Sequence, residues 1–126
     1  MENFEINIMN YIANNDLIVN KLGVESLYPL FTTETDKTTI TYDFTPISSD
    51  VISDTRLKLK IISKSYDEAK DVEMIIRQIL DHRKQKPFIK VGETYFKSSL
   101  AGGGCLYNDG YDMWENTLTF IIKWRC

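Results

Sequence analysis

The side chains that most often carry catalysis or bind metals are sparse in this sequence. His82 is the only histidine, and the two cysteines, Cys105 and Cys126, lie far apart. This spacing is neither a disulfide framework nor a zinc motif. Because His82 follows an apolar-periodic segment and precedes basic residues, we interpret it as a surface residue at a helix C-terminus. A Cys105–His82 nucleophile pair stays open from sequence alone, but we expect no metal, no cofactor and no enzymatic activity.

Two further segments resemble ligand-binding motifs only superficially. The glycine run 102–104 leads into Cys-Leu-Tyr at 105–107, whereas a phosphate loop ends in Lys-Ser/Thr and opens a helix. We predict a turn, a bulge or a loop that orders on assembly, followed by a short strand. Residues 108–112, Asn-Asp-Gly-Tyr-Asp, lack the later ligands and closing glutamate of a calcium loop. They predict a hairpin turn.

A row of basic residues is the most informative charged feature. Arg56, Lys58 and Lys60 alternate with Leu57, Leu59 and Ile61. Such alternation predicts a strand with one buried and one solvated face. The basic row is then either an ordinary solvent-exposed face of the sheet or a functional surface. As a functional surface it would lie opposite an acidic surface of another subunit or line a channel through which DNA passes.

The clearest helix begins at Ser65, which has the form of a capping box with Glu68 three residues on. Apolar residues then recur at spacings of three and four up to Leu80, and Pro87 is expected to end the helix. The acids Asp67, Glu68 and Asp71 stand near its start. We interpret them as stabilising the positive helix end and not as catalytic groups.

Other segments complete the pattern. The apolar spacing of residues 4–12 favours a helix, although the start of this segment also alternates like a strand. Asp16 is a candidate cap for a short helix over residues 17–22 that ends at Gly23. Residues 38–44 predict a strand, followed by a polar loop at 45–54. Tyr95 to Leu100 predicts another, and the last begins near Trp114, with Asn116 as the one polar residue on its apolar side.

This order predicts an α+β fold of two layers: an antiparallel β-sheet with helices packed on one face. The 126 residues suit a single domain, 1–126, and 43% hydrophobic content with a net charge of −3 is ordinary for a globular protein. The N-terminus lacks the basic start and apolar stretch of a signal peptide. We therefore expect the chain to stay initially in a cytoplasm, without a membrane partner.

Several short motifs resemble the phage tail-terminator, or tail-completion, family. Its strand-to-helix step is of the type Ser-x-Ser-Tyr-Asp-Glu-Ala, and residues 62–69 read Ile-Ser-Lys-Ser-Tyr-Asp-Glu-Ala. Its last strand reads aromatic-x-x-x-Leu-x-Phe-x-Ile, and residues 114–122 follow that pattern. The step Leu27-Tyr28-Pro29 after an N-terminal helical segment is also similar.

The resemblance implies a structural virion protein: a hexameric ring on the end of the tail tube that stops tube polymerisation and forms the head–tail joining interface. Its implied partners are copies of itself, the major tail-tube protein, a head-completion or stopper protein, and genomic DNA that passes through the channel without specific binding. Arg56, Lys58 and Lys60 are then candidates for the channel or a subunit contact. Ser48, Ser49 and Asp50, in the predicted loop, are candidates for an interface.

Two other classes of function remain open at this stage. One is a head-closure, neck or other minor structural protein of the phage connector. The other is a non-viral α+β module that binds nucleic acid on its sheet. Such an RNA-binding sheet needs exposed aromatic side chains for base stacking, and the predicted open face of residues 56–60 carries none.

Overall fold

The computed structural model describes residues 3–22, 27–29, 38–49, 51–81, 88–110 and 112–125. Three helices and six strands occur in them. The helices are α1 (Asn3–Ala13), α2 (Asp16–Leu22) and α3 (Tyr66–Leu80). The strands are β1 (Leu27–Pro29), β2 (Thr39–Ser48), β3 (Ser53–Ser63), β4 (Ile89–Val91), β5 (Thr94–Asn108) and β6 (Met113–Arg125).

The strands form one sheet in the order β1-β2-β3-β6-β5-β4. All neighbours are antiparallel except β1, which pairs in parallel with β2 over three residues. Helices pack on one face of this sheet, so the predicted two-layer α+β fold is confirmed. The step Leu27-Tyr28-Pro29 noted in the sequence forms β1.

The centre of the sheet is built by β3 and β6, whose alternation was readable from the sequence. Leu57, Leu59 and Ile61 are fully buried, and they pair in register with Phe120, Leu118 and Asn116. Each fully buried side chain of this size contributes about 1.5–3 kcal/mol relative to an exposed one. The intervening residues 56, 58 and 60 point away from the helices.

The helix α3 covers these two strands, as its apolar stripe predicts. Its buried residues are Ala69, Val72, Ile76, Ile79 and Leu80. The Ser65 hydroxyl accepts a hydrogen bond from the Glu68 N–H at 3.2 Å, which confirms the cap. In a capping box the Glu68 side chain would accept a hydrogen bond from the Ser65 N–H. Here the Ser65 N–H donates to the Ser63 hydroxyl instead, at 3.1 Å.

Two details at the helix ends differ from the predictions. The cap of α2 is Asn15 and not Asp16: the Asn15 side-chain oxygen accepts from the Leu17 N–H at 3.0 Å, and its carbonyl accepts from Val19 at 3.0 Å. Asp16 is already the first helical residue. The roles predicted for Gly23, His82 and Pro87 lie outside the described residues.

The predicted polar loop at 45–54 is wrong for most of its length. The β2–β3 pairing continues to the pair Ser48–Asp54, with a register shift between Pro46 and Ser48. Among the described residues, β1 covers β2 only over residues 40–42. Proline is tolerated because no described strand on that edge of β2 requires the N–H that Pro46 lacks.

The glycine run is also not a turn. It lies inside β5, which continues without interruption from Thr94 to Asn108, and the register against β6 shifts by one residue at Ala101. The predicted alternative of a bulge is therefore correct, and the separate short strand at 105–107 is part of β5. The predicted turn after it is confirmed, with the Gly110 N–H donating to Asn108 Oδ1 at 2.9 Å.

Gly103 is required at its position by close packing against β6. A Cβ atom there would clash with the carbonyl oxygen of Thr117, whereas one on Gly104 would meet nothing within 4 Å. We therefore expect Gly103→Ala to lower the free energy of unfolding by about 1–3 kcal/mol, because the backbone must shift. Gly104→Ala is the matched control and should be neutral or slightly stabilising. Urea denaturation distinguishes them, and equal stability of the two variants would contradict this packing.

Candidate functional site

The face of the sheet opposite the helices carries a concentration of charged side chains. Strand alternation and register place seven basic side chains and three acidic ones on it. We call this surface the basic face; its cations are Arg56, Lys58, Lys60, Lys90, Lys97, Lys123 and Arg125, and its acids are Asp43, Asp54 and Glu115. The predicted row of three residues is therefore part of a surface that extends over β3, β6, β5 and β4.

The four additional cations were missed by sequence reasoning, although two signals were present. Lys97 lies between the buried residues Phe96 and Ser98, and Lys123 follows buried Ile122. The alternation shows that each faces away from the core. Only the register, in which Lys97 pairs with Lys123, shows that they share one surface with Arg56.

Two ion pairs neutralise part of the basic face. Lys60 Nζ lies 3.2 Å from Glu115 Oε1, and Lys123 Nζ lies 3.3 Å from Asp54 Oδ1. A hydrogen bond from Asn108 is the main cause that lowers the pKa of Glu115; burial opposes it and Lys60 adds to it. Glu115 is therefore charged at neutral pH and remains a partner for Lys60.

The only described aromatic side chain on this face, Tyr95, is flanked by two cations. The Arg125 guanidinium carbon lies 4.2 Å from the ring centroid, and Lys90 Nζ lies 5.6 Å from it. Arg56, Lys58 and Lys97 have no carboxylate within ion-pairing distance among the described residues. These three cations are therefore available to an external anion.

The β2–β3 hairpin end differs from the polar loop that the sequence predicted. Ser48 and Ser49 are exposed, and the Ser48 hydroxyl donates to Asp54 at 3.4 Å. Asp50 lies outside the described residues. The dominant feature is apolar: Ile47 is 55% exposed, and Val51 is 85% exposed. Exposed side chains of this kind mark candidate contact sites.

A second exposed apolar surface lies at the opposite end of the sheet. Leu106 is 74% exposed, and Tyr107 contacts Trp114 edge-on with ring centroids 4.9 Å apart. Tyr66, at the start of α3, also contacts Trp114 edge-on, with ring centroids 5.0 Å apart. We call this cluster the aromatic end.

The outer edge of β5 is open over much of its length. β4 pairs only with Thr94–Phe96, and Asp81 accepts from the Leu100 N–H at 3.3 Å. From residue 102 to residue 107 no described strand pairs with this edge. Natural sheets usually blunt such an edge with proline or charged residues, as Pro46 does on β2, but residues 102–107 contain neither.

A polar cluster lies between α3 and the glycine segment of β5, beside a shallow cleft of about 280 Å³. Asn116, the one polar residue of the apolar stripe of β6, donates to Glu73 Oε1 at 2.6 Å. Lys70 and Arg77 flank the same carboxylate at 3.4 and 3.5 Å. Burial raises the pKa of Glu73, but the Asn116 hydrogen bond and the positive charge of Lys70 and Arg77 outweigh it and lower the pKa.

The acids noted in the sequence do not converge. Asp67 and Asp71 are exposed on α3, and Asp71 pairs with Lys21 at 3.6 Å. Cys105 is half-buried in β5, while His82 and Cys126 lie outside the described residues. Within the described part of the chain, no three His, Cys, Asp or Glu side chains are grouped so that they could hold a metal ion. No described helix is long and apolar enough to span a bilayer.

Comparison with known proteins gives a likeness in fold. No protein-family model matches the chain, and no curated protein matches it. Among solved structures, a chain from the virion of a native gene transfer agent particle superposes with a TM-score of 0.71 and 9% sequence identity. The match covers 97% of this chain and 94% of that chain. The two therefore share one fold over almost their whole length.

The Glu73 cluster predicts a specific acid sensitivity. Because the folded-state pKa of Glu73 is below its ordinary value of 4.5, the charged carboxylate stabilises the fold above that pH. This contribution is lost as the pH falls through the folded-state pKa. We expect Glu73→Gln to be less stable than the wild type at pH 7 and to lose part of the decline in stability between about pH 5 and 3.

Urea unfolding at several pH values measures this effect. Glu93→Gln removes an exposed carboxylate in the turn between β4 and β5, outside the cluster, and it should retain the wild-type pH dependence. A Glu73→Gln variant whose stability falls with acid as steeply as that of the wild type would show that Glu73 does not contribute.

Proposed function

We propose that this protein is a structural subunit of a phage or phage-like virion. In this proposal it caps the end of the tail tube as a ring, ends tube polymerisation and forms the head–tail joining interface. No catalytic step is part of this function.

The observation that carries this proposal is the fold shared with a chain of the gene transfer agent virion over 97% of the present sequence. The motif resemblance to the tail-terminator family points to the same class of protein independently of that superposition. A common fold does not by itself define a function. The proposal therefore also depends on the surfaces that this chain exposes.

Those surfaces suit assembly between copies. The open edge of β5, at residues 102–107, offers unpaired backbone groups to a neighbour. The exposed Ile47 and Val51 lie at one end of the sheet, and the aromatic end lies at the other. Contacts between two different patches are heterologous, and they close into a ring when the rotation between copies allows it.

The remaining surfaces have assigned roles in this proposal. Ser48 and Ser49, beside the apolar hairpin tip, contact a neighbouring copy or the major tail-tube protein. The ring presents its other side to a head-completion or stopper protein. Arg56, Lys58 and Lys60 face the channel, through which genomic DNA passes without specific binding. The functional form is a hexamer located at the head–tail interface of the virion.

Deletion of the gene from the phage or prophage that encodes it tests the proposed role directly. We expect overlong tails or tails without heads in electron micrographs, because nothing ends tube polymerisation or joins the head. Full-length tails of normal number beside heads that leak DNA would contradict the terminator role. That phenotype would instead assign the protein to head closure.

The open edge of β5 gives a second test. The double variant Gly104→Lys and Leu106→Lys places charged side chains on this edge, which opposes pairing with a neighbouring strand. Both positions are exposed, so we expect a change in stability within about 0.5 kcal/mol per substitution. Complementation of the deletion should fall at least tenfold in titre, since rings no longer assemble.

Met74→Lys provides the matched control, because Met74 is 63% exposed on α3 and is not part of the β5 edge. It should complement like the wild type. A double variant that folds normally and complements fully would exclude the β5 edge from the subunit contact.

A further inference from the structure

We propose that the whole basic face, and not only the row on β3, binds the phosphodiester backbone of duplex DNA without reading base sequence. This inference deepens the proposed function and rests on it for the place of the contact in the particle. The cations of β4, β5 and β6, namely Lys90, Lys97, Lys123 and Arg125, are the new part of the site.

Positive charge is concentrated on the basic face. The basic face carries seven cations and three acids, although the chain as a whole has a net charge of −3. The basic face therefore has a formal net charge of +4, whereas the remaining residues of the chain together sum to −7. Such a distribution attracts a polyanion to that side in a defined orientation.

The basic face is wide enough to contact both sides of one groove of duplex DNA. Three inter-strand spacings separate β3 from β4 in the sheet order, which corresponds to about 14 Å. This width is close to the ~12 Å width of the major groove of DNA. Cations on the outer strands can therefore reach phosphates on both sides of one groove.

The described part of the basic face has few aromatic side chains on which bases could stack. Proteins that bind single-stranded nucleic acid stack bases on exposed aromatic rings. Tyr95 is the only described aromatic side chain on this face, and the Arg125 guanidinium already lies over its ring at 4.2 Å. Contacts to phosphate position a protein but carry no sequence information. The face is therefore suited to sequence-independent contact with a duplex.

The chemistry of the face favours DNA over an acidic protein partner. The cores of protein–protein interfaces are depleted in lysine and enriched in aromatic residues and methionine. Lysine predominates at the centre of the basic face instead, where Lys58, Lys97 and Lys123 lie around Thr119 and Ile121. The large exposed apolar side chains Val51 and Leu106 lie at the two ends of the sheet and not at this centre.

Two acids hold the affinity low. Asp54 and Glu115 pair with Lys123 and Lys60, so these two cations are partly neutralised before DNA arrives. A channel through which DNA moves requires weak binding, because every phosphate that is neutralised adds affinity and slows release. The acids therefore act as attenuators of the site.

Fluorescence anisotropy with the purified protein and a labelled duplex of about 30 base pairs tests this inference, at NaCl concentrations from about 25 to 200 mM. Two unrelated duplex sequences should bind equally. With three or four phosphates neutralised, log Kd should rise with log salt with a slope of about 3. The variant Lys90→Gln, Lys97→Gln and Arg125→Gln, which leaves the row on β3 intact, should bind at least about 100-fold more weakly at about 50 mM NaCl and lose most of this slope.

The variant Lys21→Gln, Lys64→Gln and Arg77→Gln is the matched control, because it removes the same charge at exposed positions that are not part of the basic face. It should retain the wild-type slope. Absence of binding at about 25 mM NaCl, or equal loss of affinity in both triple variants, would overturn the inference. So would tighter binding of polyglutamate than of DNA, which would assign the face to an acidic protein.

A gain of affinity provides a test that misfolding cannot imitate. Asp54→Asn with Glu115→Gln releases Lys123 and Lys60, and it should tighten DNA binding at least about tenfold at about 50 mM NaCl. Asp67→Asn with Asp71→Asn changes the net charge equally on α3 and should have a much smaller effect. Equal effects of the two pairs would overturn the role of the acids as attenuators.

These measurements are separate from the deletion phenotype. A protein that fails to bind DNA but restores tail length and head joining would refute the DNA contact and leave the terminator role intact. A deletion phenotype of leaking heads together with salt-dependent DNA binding would refute the terminator role and leave the DNA contact intact.

Discussion

The packing of α3 on the central strands β3 and β6 is the contact on which the rest of the structure depends. Leu59, Leu118 and Ile76 come from three separate parts of the chain and are all within the buried core. Removing this apolar surface from water is the main favourable term in folding. Since one side of the sheet is committed to that contact, the other side is left to solvent and to partners.

This asymmetry explains why the functional surfaces are a face, an edge and two ends, and not a cleft. The helices cover the apolar side of the sheet, and the polar side remains broad and open. The charges of Arg56, Lys58 and Lys97 are therefore displayed on a surface wide enough for a macromolecule. The long β5, held to β6 along almost its whole length, extends the sheet and presents its outer edge.

Gly103 in β5 and Asn116 in β6 depart from the usual residue types of a buried strand, and packing explains both. Gly103 permits β5 to approach the backbone of β6 at Thr117. Asn116 interrupts an apolar stripe because its partner is Glu73, a partly buried carboxylate on α3 that also binds Lys70 and Arg77. A buried charge is tolerated only when it is paired and hydrogen-bonded, and this cluster meets that requirement at the junction of the two layers.

The sequence by itself determined the local elements with strong periodicity: α3 with its Ser65 cap, the alternation of β3 and β6, and the α+β class. It did not reveal the length of β2 and β5, because proline and glycine normally end strands, and only pairing with β3 and β6 overrides that tendency. Nor did it show that Lys97 and Lys123 join the row that contains Lys58. Periodicity reports which side of an element is buried, whereas the neighbour of each strand depends on contacts between residues far apart in the chain, and only the tertiary structure decides those contacts.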